Sequence, residues 1–355
     1  MTTIKLGDVA TEVKSSNKGD KTGCKIVGLE HLTPSDVTLS AWSDDTNNSF
    51  TKEFSKGDVL FGRRRAYLKK AAVAPFDGIC SGDITVIRAK EGKVIPQLLP
   101  FIIQNDFLFD YAVEKSAGSL SPRVKWEHLK NFEIILPDME TQKQLADTLW
   151  SINQTKQAYL ALIKQTDELV KSQFIEMFAN EENAALLKDC ASIEKGKTIT
   201  RDEVVEGDVP VVAAGIEPSC YHNAANRDDN IITVSASGAN AGYVNYWETP
   251  IFASDCNTVL TLNPEKLDEV FLYQRLKVMQ DEIFMMQRGS GQPHVYAKDL
   301  ENIVVPIPNI SEQIQYSEFV RQSDKSKFEL QDAIDNLDAL SKKIIAENLM
   351  VAGKE

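Results

Sequence analysis

The chain has 355 residues, 43% of them hydrophobic, with formal net charge −13 and five cysteines. That length exceeds what one core usually serves, and the apolar content excludes a disordered chain. No apolar run reaches membrane-span length, and "MTTIKLGDVATEVK" at the start lacks a secretory apolar core, so a cytoplasmic protein with no membrane contact is expected. Cys24, Cys80, Cys190, Cys220 and Cys256 are odd in number and scattered, as reduced thiols are. Together with four histidines, they show no metal-ligand spacing.

In chain order, "LGDVA" (Leu6 to Ala10) comes first, then the strand-like "DVLFG" and "GDITVIRA", then a helical patch, "IPQLLPFIIQNDFLFDYAVEKSA". A Gly-Ser turn, a short helix and the strand "FEIILP" follow, within "GSLSPRVKWEHLKNFEIILP" (Gly118 to Pro137). After Asp138, a helix cap, a helix is predicted over about 139–178. The chain then repeats itself. "LKDCA" (Leu187 to Ala191) answers "LGDVA", and "IFASDCNTV" (Ile251 to Val259) answers "ICSGDITVI" (Ile79 to Ile87). "KLDEVFLYQRLKVMQDEIFMMQ" answers the helical patch, and "GSGQPHVYAKDLENIVVPIP" (Gly289 to Pro308) answers the Gly-Ser stretch at a constant offset of 171. A second helix is predicted over about 310–349, with Asn309 and Glu312 as a capping box.

The first helix carries Leu145, Leu149, Ile152, Tyr159, Ile163, Val170, Phe174 and Met177 at helical spacing. The second carries Tyr316, Val320, Leu330, Ile334 and Ile345 at the equivalent places, with Leu337, Leu340 and Ile344 on the same side. Helices this long with such seams want each other, and a pseudo-twofold relation makes them antiparallel. Each would reach roughly 50–55 Å. The expected fold is α+β: two similar globular domains in tandem (1–138 and 181–308), each followed by a long helix (139–180 and 309–355), the helices forming an antiparallel coiled coil.

Charge is uneven. Residues 1–140 hold 19 basic and 19 acidic groups, whereas 181–308 hold 10 and 20, net −10. Enzyme motifs are missing. "GSG" at Gly289 lacks the third glycine of a dinucleotide loop, and "NPEK" at Asn263 is a turn rather than a methyltransferase motif. "ASIEKGKT" (Ala191 to Thr198) resembles a P-loop in its final Gly-Lys-Thr only. Ala191 replaces the first glycine and Glu194 would repel phosphate, so it reads as a surface connection. Nothing marks Ser290, near His294, as an activated nucleophile.

The order of parts resembles the specificity (S) subunit of type I restriction–modification systems. The pieces that carry it are "LGDVA" and "LKDCASIEKGKT", "HLKNFEIILPDMETQKQL" and "DLENIVVPIPNISEQIQ", and the two helices, from about Leu6 to Leu349. The resemblance implies two target-recognition domains, each reading half of a bipartite double-stranded DNA site, with the helices setting the spacing. It implies two methyltransferase (M) subunits as partners, which methylate adenine at N6 with S-adenosylmethionine, and allows for endonuclease/translocase (R) subunits. The chain itself would bind no cofactor and catalyse nothing.

Candidate DNA contacts are the run "FGRRRAYLKK", giving Arg63, Arg64, Arg65, Tyr67, Lys69 and Lys70, and the turn residues Arg123 and Lys125. In the second half they are Ser237, Asn240 and Tyr243 of "SASGANAGYVNY", then Arg288, Gln292, His294 and Tyr296. Gly238 and Gly242 would allow close backbone approach. The competing reading is a protein-binding adaptor or DNA mimic acting through the acidic second half.

Overall fold

The computed structural model describes residues 2–289 and 291–349; Ser290 and the residues beyond 349 lie outside it. The first domain runs β1 (Thr2–Lys5), α1 (Leu6–Val9), β2 (Ala10–Glu12), β3 (Lys25–Val27), β4 (Lys52–Phe54), β5 (Val59–Gly62), β6 (Ala71–Val73), β7 (Gly78–Cys80) and β8 (Ile84–Ala89). Helices α2 (Leu99–Ile103), α3 (Asp106–Glu114) and α4 (Trp126–Leu129) follow, then β9 (Glu133–Leu136) and the long α5 (Met139–Phe178). Strands β2-β8-β5-β6 form an antiparallel sheet. The central β5 is buried on both faces, as a strand between two layers must be. Alternation sends Val59 and Phe61 toward α2 and α3, and Leu60 toward the smaller sheet β3-β7-β4. Strand β1 pairs with β9, which ties the two ends of the domain together.

The second domain repeats this plan with β10 (Ala184–Leu186), α6 (Leu187–Cys190), β11 (Ala191–Lys195), β12 (Val209–Val212), β13 (Cys220–His222), β14 (Ile231–Ser235), β15 (Val244–Trp247), β16 (Phe252–Ala253) and β17 (Cys256–Thr261). It closes with α7 (Glu269–Val278), α8 (Gln280–Met285), α9 (Ala297–Leu300), β18 (Val304–Pro306) and the long α10 (Ile310–Asn348). The larger sheet is again antiparallel, β11-β17-β14-β15, and β10 pairs with β18. The smaller sheets differ. Each has one parallel pair, β3 with β7 and β12 with β16, but the third strand joins β7 in the first domain and β12 in the second. The first five residues of the P-loop-like tract are β11, and Gly196 just after it donates its N–H to the Cys256 carbonyl at 2.8 Å. The surface connection expected from sequence is therefore a sheet strand in its first part, as in its counterpart β2, and only the Gly-Lys-Thr end lies outside the strand.

Each compact unit takes one domain and half of both long helices. The first unit uses α5 up to Leu160 and α10 from Gln331; the second is Ala161–Leu330. In the first unit Leu149 of α5, Ile345 of α10 and Leu349 just after α10 share the domain core, with Leu145, Trp150 and Ile344 packed against it. In the second, Val170, Phe174 and Phe178 of α5 meet Tyr316 and Val320 of α10 over α7. The helices thus pair antiparallel within each unit. Lys156 meets Asp338 at 2.7 Å in the first, and Lys327 meets Asp167 at 2.6 Å in the second. Both lysines and both aspartates are 171 residues apart, so one register is used twice. These pairs are partly exposed and set register more than stability. Of the predicted seam, Leu149, Val170, Val320 and Ile334 are buried, and Leu145, Ile152, Tyr159, Ile163, Leu330, Leu337 and Ile344 half-buried. Met177 and Leu340 are exposed, 41% and 46%, and do not belong to the seam.

The start of each long helix is pinned by a buried glutamine. Gln142 accepts from Ile95 N (3.1 Å) and donates to Pro137 O (2.9 Å). Gln313, at the same place in the repeat, accepts from Asp268 N (2.9 Å) and donates to Pro308 O (2.8 Å). Asp138 caps α5 through Thr141 N (2.9 Å), whereas α10 is closed by main chain alone, Glu312 N to Asn309 O, without the expected capping box. Gln142→Leu leaves a buried donor and acceptor unmatched. It should lower stability by about 1–3 kcal/mol, read as a reduced urea midpoint.

Candidate nucleic-acid interface

In the first domain three segments converge at one end of the larger sheet. Strand β5 runs out into Arg63, Arg64 and Arg65; the β7–β8 loop brings Asp83; the turn before α4 brings Ser121 to Arg123. Main-chain bonds lock them: Arg63 N to Asp83 O (2.9 Å), Arg65 N to Pro122 O (2.8 Å), and Val124 N to Arg63 O (3.0 Å). The two basic tracts, distant in sequence, are therefore one surface, bridged at Arg64 and Arg123. Asp83 joins their side chains. It accepts from Arg123 Nε (2.7 Å) and Nη2 (3.2 Å), and from Arg64 Nη1 (3.4 Å). Arg123 holds the Asp83 carboxyl below its usual range, with Arg64 adding to it against a burial effect of opposite sign. Arg64 Nη2 also donates to Ser121 Oγ at 3.0 Å.

The second domain builds the same joint. Gly238 N donates to Pro293 O (2.9 Å) and Val295 N to Ala236 O (3.0 Å), with a bridge between Ser237 and His294. Asp255 stands where Asp83 stood, and its carboxylate accepts from the Ser237 hydroxyl. Arg65 is exposed with φ +54°, a left-handed conformation that L residues disfavour; its counterpart Gly238 has φ +77°. The first domain thus carries an arginine where the backbone prefers glycine, and such strain gathers at functional positions.

The remaining expected residues divide. Tyr67, Lys125, Gln292 and Tyr296 are exposed, and Asn240 is half-buried. His294 stacks on Tyr296 (5.9 Å between rings) and contacts Gln292 O through Nδ1 at 2.8 Å. Arg288 pairs with Asp299 while staying 70% exposed. Lys69 is turned to Asp106, and Lys70 donates to Leu29 O at 2.8 Å, so both hold the loop. Ser237 is buried against Asp255, and the Tyr243 ring lies under Lys277 (4.4 Å). A Cβ on Gly242 (φ +90°) would meet Ile283 and Val295 at 3.2 Å, so this glycine serves internal packing rather than an outside partner. Asp83 and Asp255 were missed; the signal was their recurrence in register in "SGDIT" and "ASDCN".

Chemistry of other kinds is poorly supported. Burial pushes the Cys80 and Cys256 thiols up to about 12, which leaves neither as a thiolate nucleophile. Among the described residues no group of His, Cys, Asp or Glu could hold a metal ion, and no helix is long and apolar enough to cross a membrane.

The sequence model of the type I restriction modification DNA specificity domain matches this chain twice, over residues 1–166 and 184–339. The chain belongs to that family. Specificity subunits of this family are non-catalytic, and this one has two target-recognition domains in tandem. Over 379 aligned positions it is 22% identical to a protein of Methanocaldococcus jannaschii described as the type I restriction enzyme MjaX specificity subunit, covering 94% of this chain and 88% of that protein. A type I restriction–modification S subunit from M. genitalium superposes with a TM-score of 0.62 at 16% identity, covering 98% and 96%. A chain from work on complex assembly and conformational transition of the type I R-M system gives 0.56 at 19%, covering 98% and 97%. These structures share the fold of the specificity subunit.

Proposed function

We propose that this specificity subunit reads a bipartite double-stranded DNA target, one half with each three-segment joint, while the paired helices set the gap and seat two methyltransferase subunits. S-adenosylmethionine and the N6-adenine chemistry belong to those partners, and endonuclease/translocase subunits are a further partner class that the family allows for. The observation that carries this reading is one backbone joint with two chemistries. Arg64, Arg65, Arg123 and Asp83 in the first domain match Ser237, Gly238, His294 and Asp255 in the second. Two readers of unlike half-sites need that combination: a common frame and different donors. The guanidiniums suit guanine O6 and N7 or phosphate, and Asn240, Gln292 and His294 suit other base edges. Tyr67, Lys125, Arg288 and Tyr296 border the same joints. Net charge −13 does not oppose this, since contact follows the local field.

The test is genome-wide mapping of methylated adenine in cells co-expressing the chain and its methyltransferase. Arg65→Gly is the most informative variant, because it supplies the residue that the second domain uses at that place. It should fold within about 1 kcal/mol of the parent, the relieved left-handed strain offsetting the added chain entropy. It should also lose about 1–3 kcal/mol of discrimination at one position, degrading one half of the methylated motif and sparing the other. Replacing Arg63, Arg64 and Arg65 with alanine should abolish that half. Loss of both halves together, or of neither, contradicts the proposal.

A further inference from the structure

We infer that Asp83 is a positioning residue of the first reader: it fixes the arginines for base edges and keeps them from serving as general phosphate ligands. The inference rests on the proposed reading of DNA by this joint. Arg123 gives Asp83 one edge of its guanidinium, Nε at 2.7 Å and Nη2 at 3.2 Å. That side-on fork leaves the end-on edge, Nη1 with the outer hydrogen of Nη2, for an outside acceptor pair such as guanine O6 and N7. Among the described residues, the one hydrogen-bond acceptor at Nη1 is the Ser121 carbonyl, at 3.5 Å. Arg64 is held from the other side, Nη1 on Asp83 and Nη2 on Ser121 Oγ. Its Nε is buried without a partner, which commits the side chain to one path out of the sheet.

One carboxylate therefore restrains two flexible cations that would otherwise swing to any phosphate. Its charge also lowers the local positive potential that would bind DNA of any sequence. The anchoring is itself fixed, since the Asp83 carbonyl accepts from Arg63 N and Asp83 N donates to Ser81 Oγ at 3.2 Å. In the second domain Asp255 occupies the same place but holds a buried serine hydroxyl, and among the described residues no guanidinium pairs with it. The aspartate thus belongs to the frame, and the first domain has put it to a second use.

The experiment uses the full chain in complex with its methyltransferase. Binding to a random-sequence duplex is titrated over a range of salt, and methylated adenines are mapped in cells. Asp83→Asn should bind the random duplex several-fold more tightly at low salt, with a salt slope steeper by about one unit. The methylated motif should become degenerate in one half only. Arg123→Lys keeps the cation but loses the fork, and should degrade the same motif positions. Glu91→Gln removes an exposed carboxylate beyond the opposite end of β8 from Asp83 and should leave random-duplex binding and its salt slope unchanged. If Asp83→Asn leaves both readouts at parental values, or if Arg123→Lys leaves the motif intact, Asp83 does not position the reader. If Arg64→Ala and Arg123→Ala also leave the motif intact, the failure lies in the reading of DNA by this joint rather than in the role of Asp83.

Discussion

Tyr316→Ala should destabilise the second unit by about 3–5 kcal/mol, the largest effect expected of a single substitution in this chain. Tyr316 is 1% exposed and stands where α5, α10 and α7 meet. Its ring packs edge-on to Phe174 (5.4 Å), Phe178 (5.6 Å) and Phe271 (6.2 Å), so truncation opens a cavity lined by aromatic faces that cannot collapse. Its hydroxyl donates to Val170 O at 2.9 Å, the one tie from α10 to the α5 main chain in this unit among the described residues. Tyr316→Phe keeps the ring and should cost only about 0.5–1.5 kcal/mol. Two compact units need not unfold together, so the alanine variant should split the urea transition, with the early phase belonging to the second unit. A single transition moved by less than about 1 kcal/mol would show that the helices are not fastened there.

The parts of this fold that sequence discloses are those written in long patterns or written twice. Helix α5 was predicted over about 139–178 and runs Met139–Phe178, because many turns of 3.6-residue spacing outweigh any local irregularity. The repeat places "FGRRRAYLKK" opposite "SASGANAGYVNY" without any contact being needed. What escaped depends on partners distant in sequence. Lys69 and Lys70 look like DNA ligands in a basic run, but Asp106 lies 37 residues on and the Leu29 carbonyl 41 residues back. Strands β2 and β11 are three and five residues long, too short for alternation to separate them from a connection. Gln142 and Gln313 are polar residues with no mark of burial in the sequence, and the fold buries them under the preceding proline carbonyls. Asp83 is the same case at the site: a carboxylate in a neutral domain draws no notice until two guanidiniums are found around it.

Glu269 makes the second unit sensitive to pH. It opens α7 beside the cap Asp268, and its Oε2 accepts from Thr261 N (3.0 Å) and Thr261 Oγ1 (2.7 Å). Oε1 is buried with no partner. Burial pushes the carboxyl up to about 7; the Thr261 bonds pull it down and the Asp268 charge adds to the rise. A folded-state value above the ordinary 4.5 means that between those two limits the native protein holds a proton the unfolded chain has lost. Stability therefore falls as pH rises through about 7, and the ionised side chain is a net burden above it. The full span is worth about 3 kcal/mol. Glu269→Gln keeps an acceptor for Thr261 and removes the titration. The two proteins should have similar urea midpoints at pH 5, and the glutamine variant should be the more stable at pH 8. A difference between them that does not change with pH would mean that Glu269 stays ionised in the fold, with Oε1 reached by water.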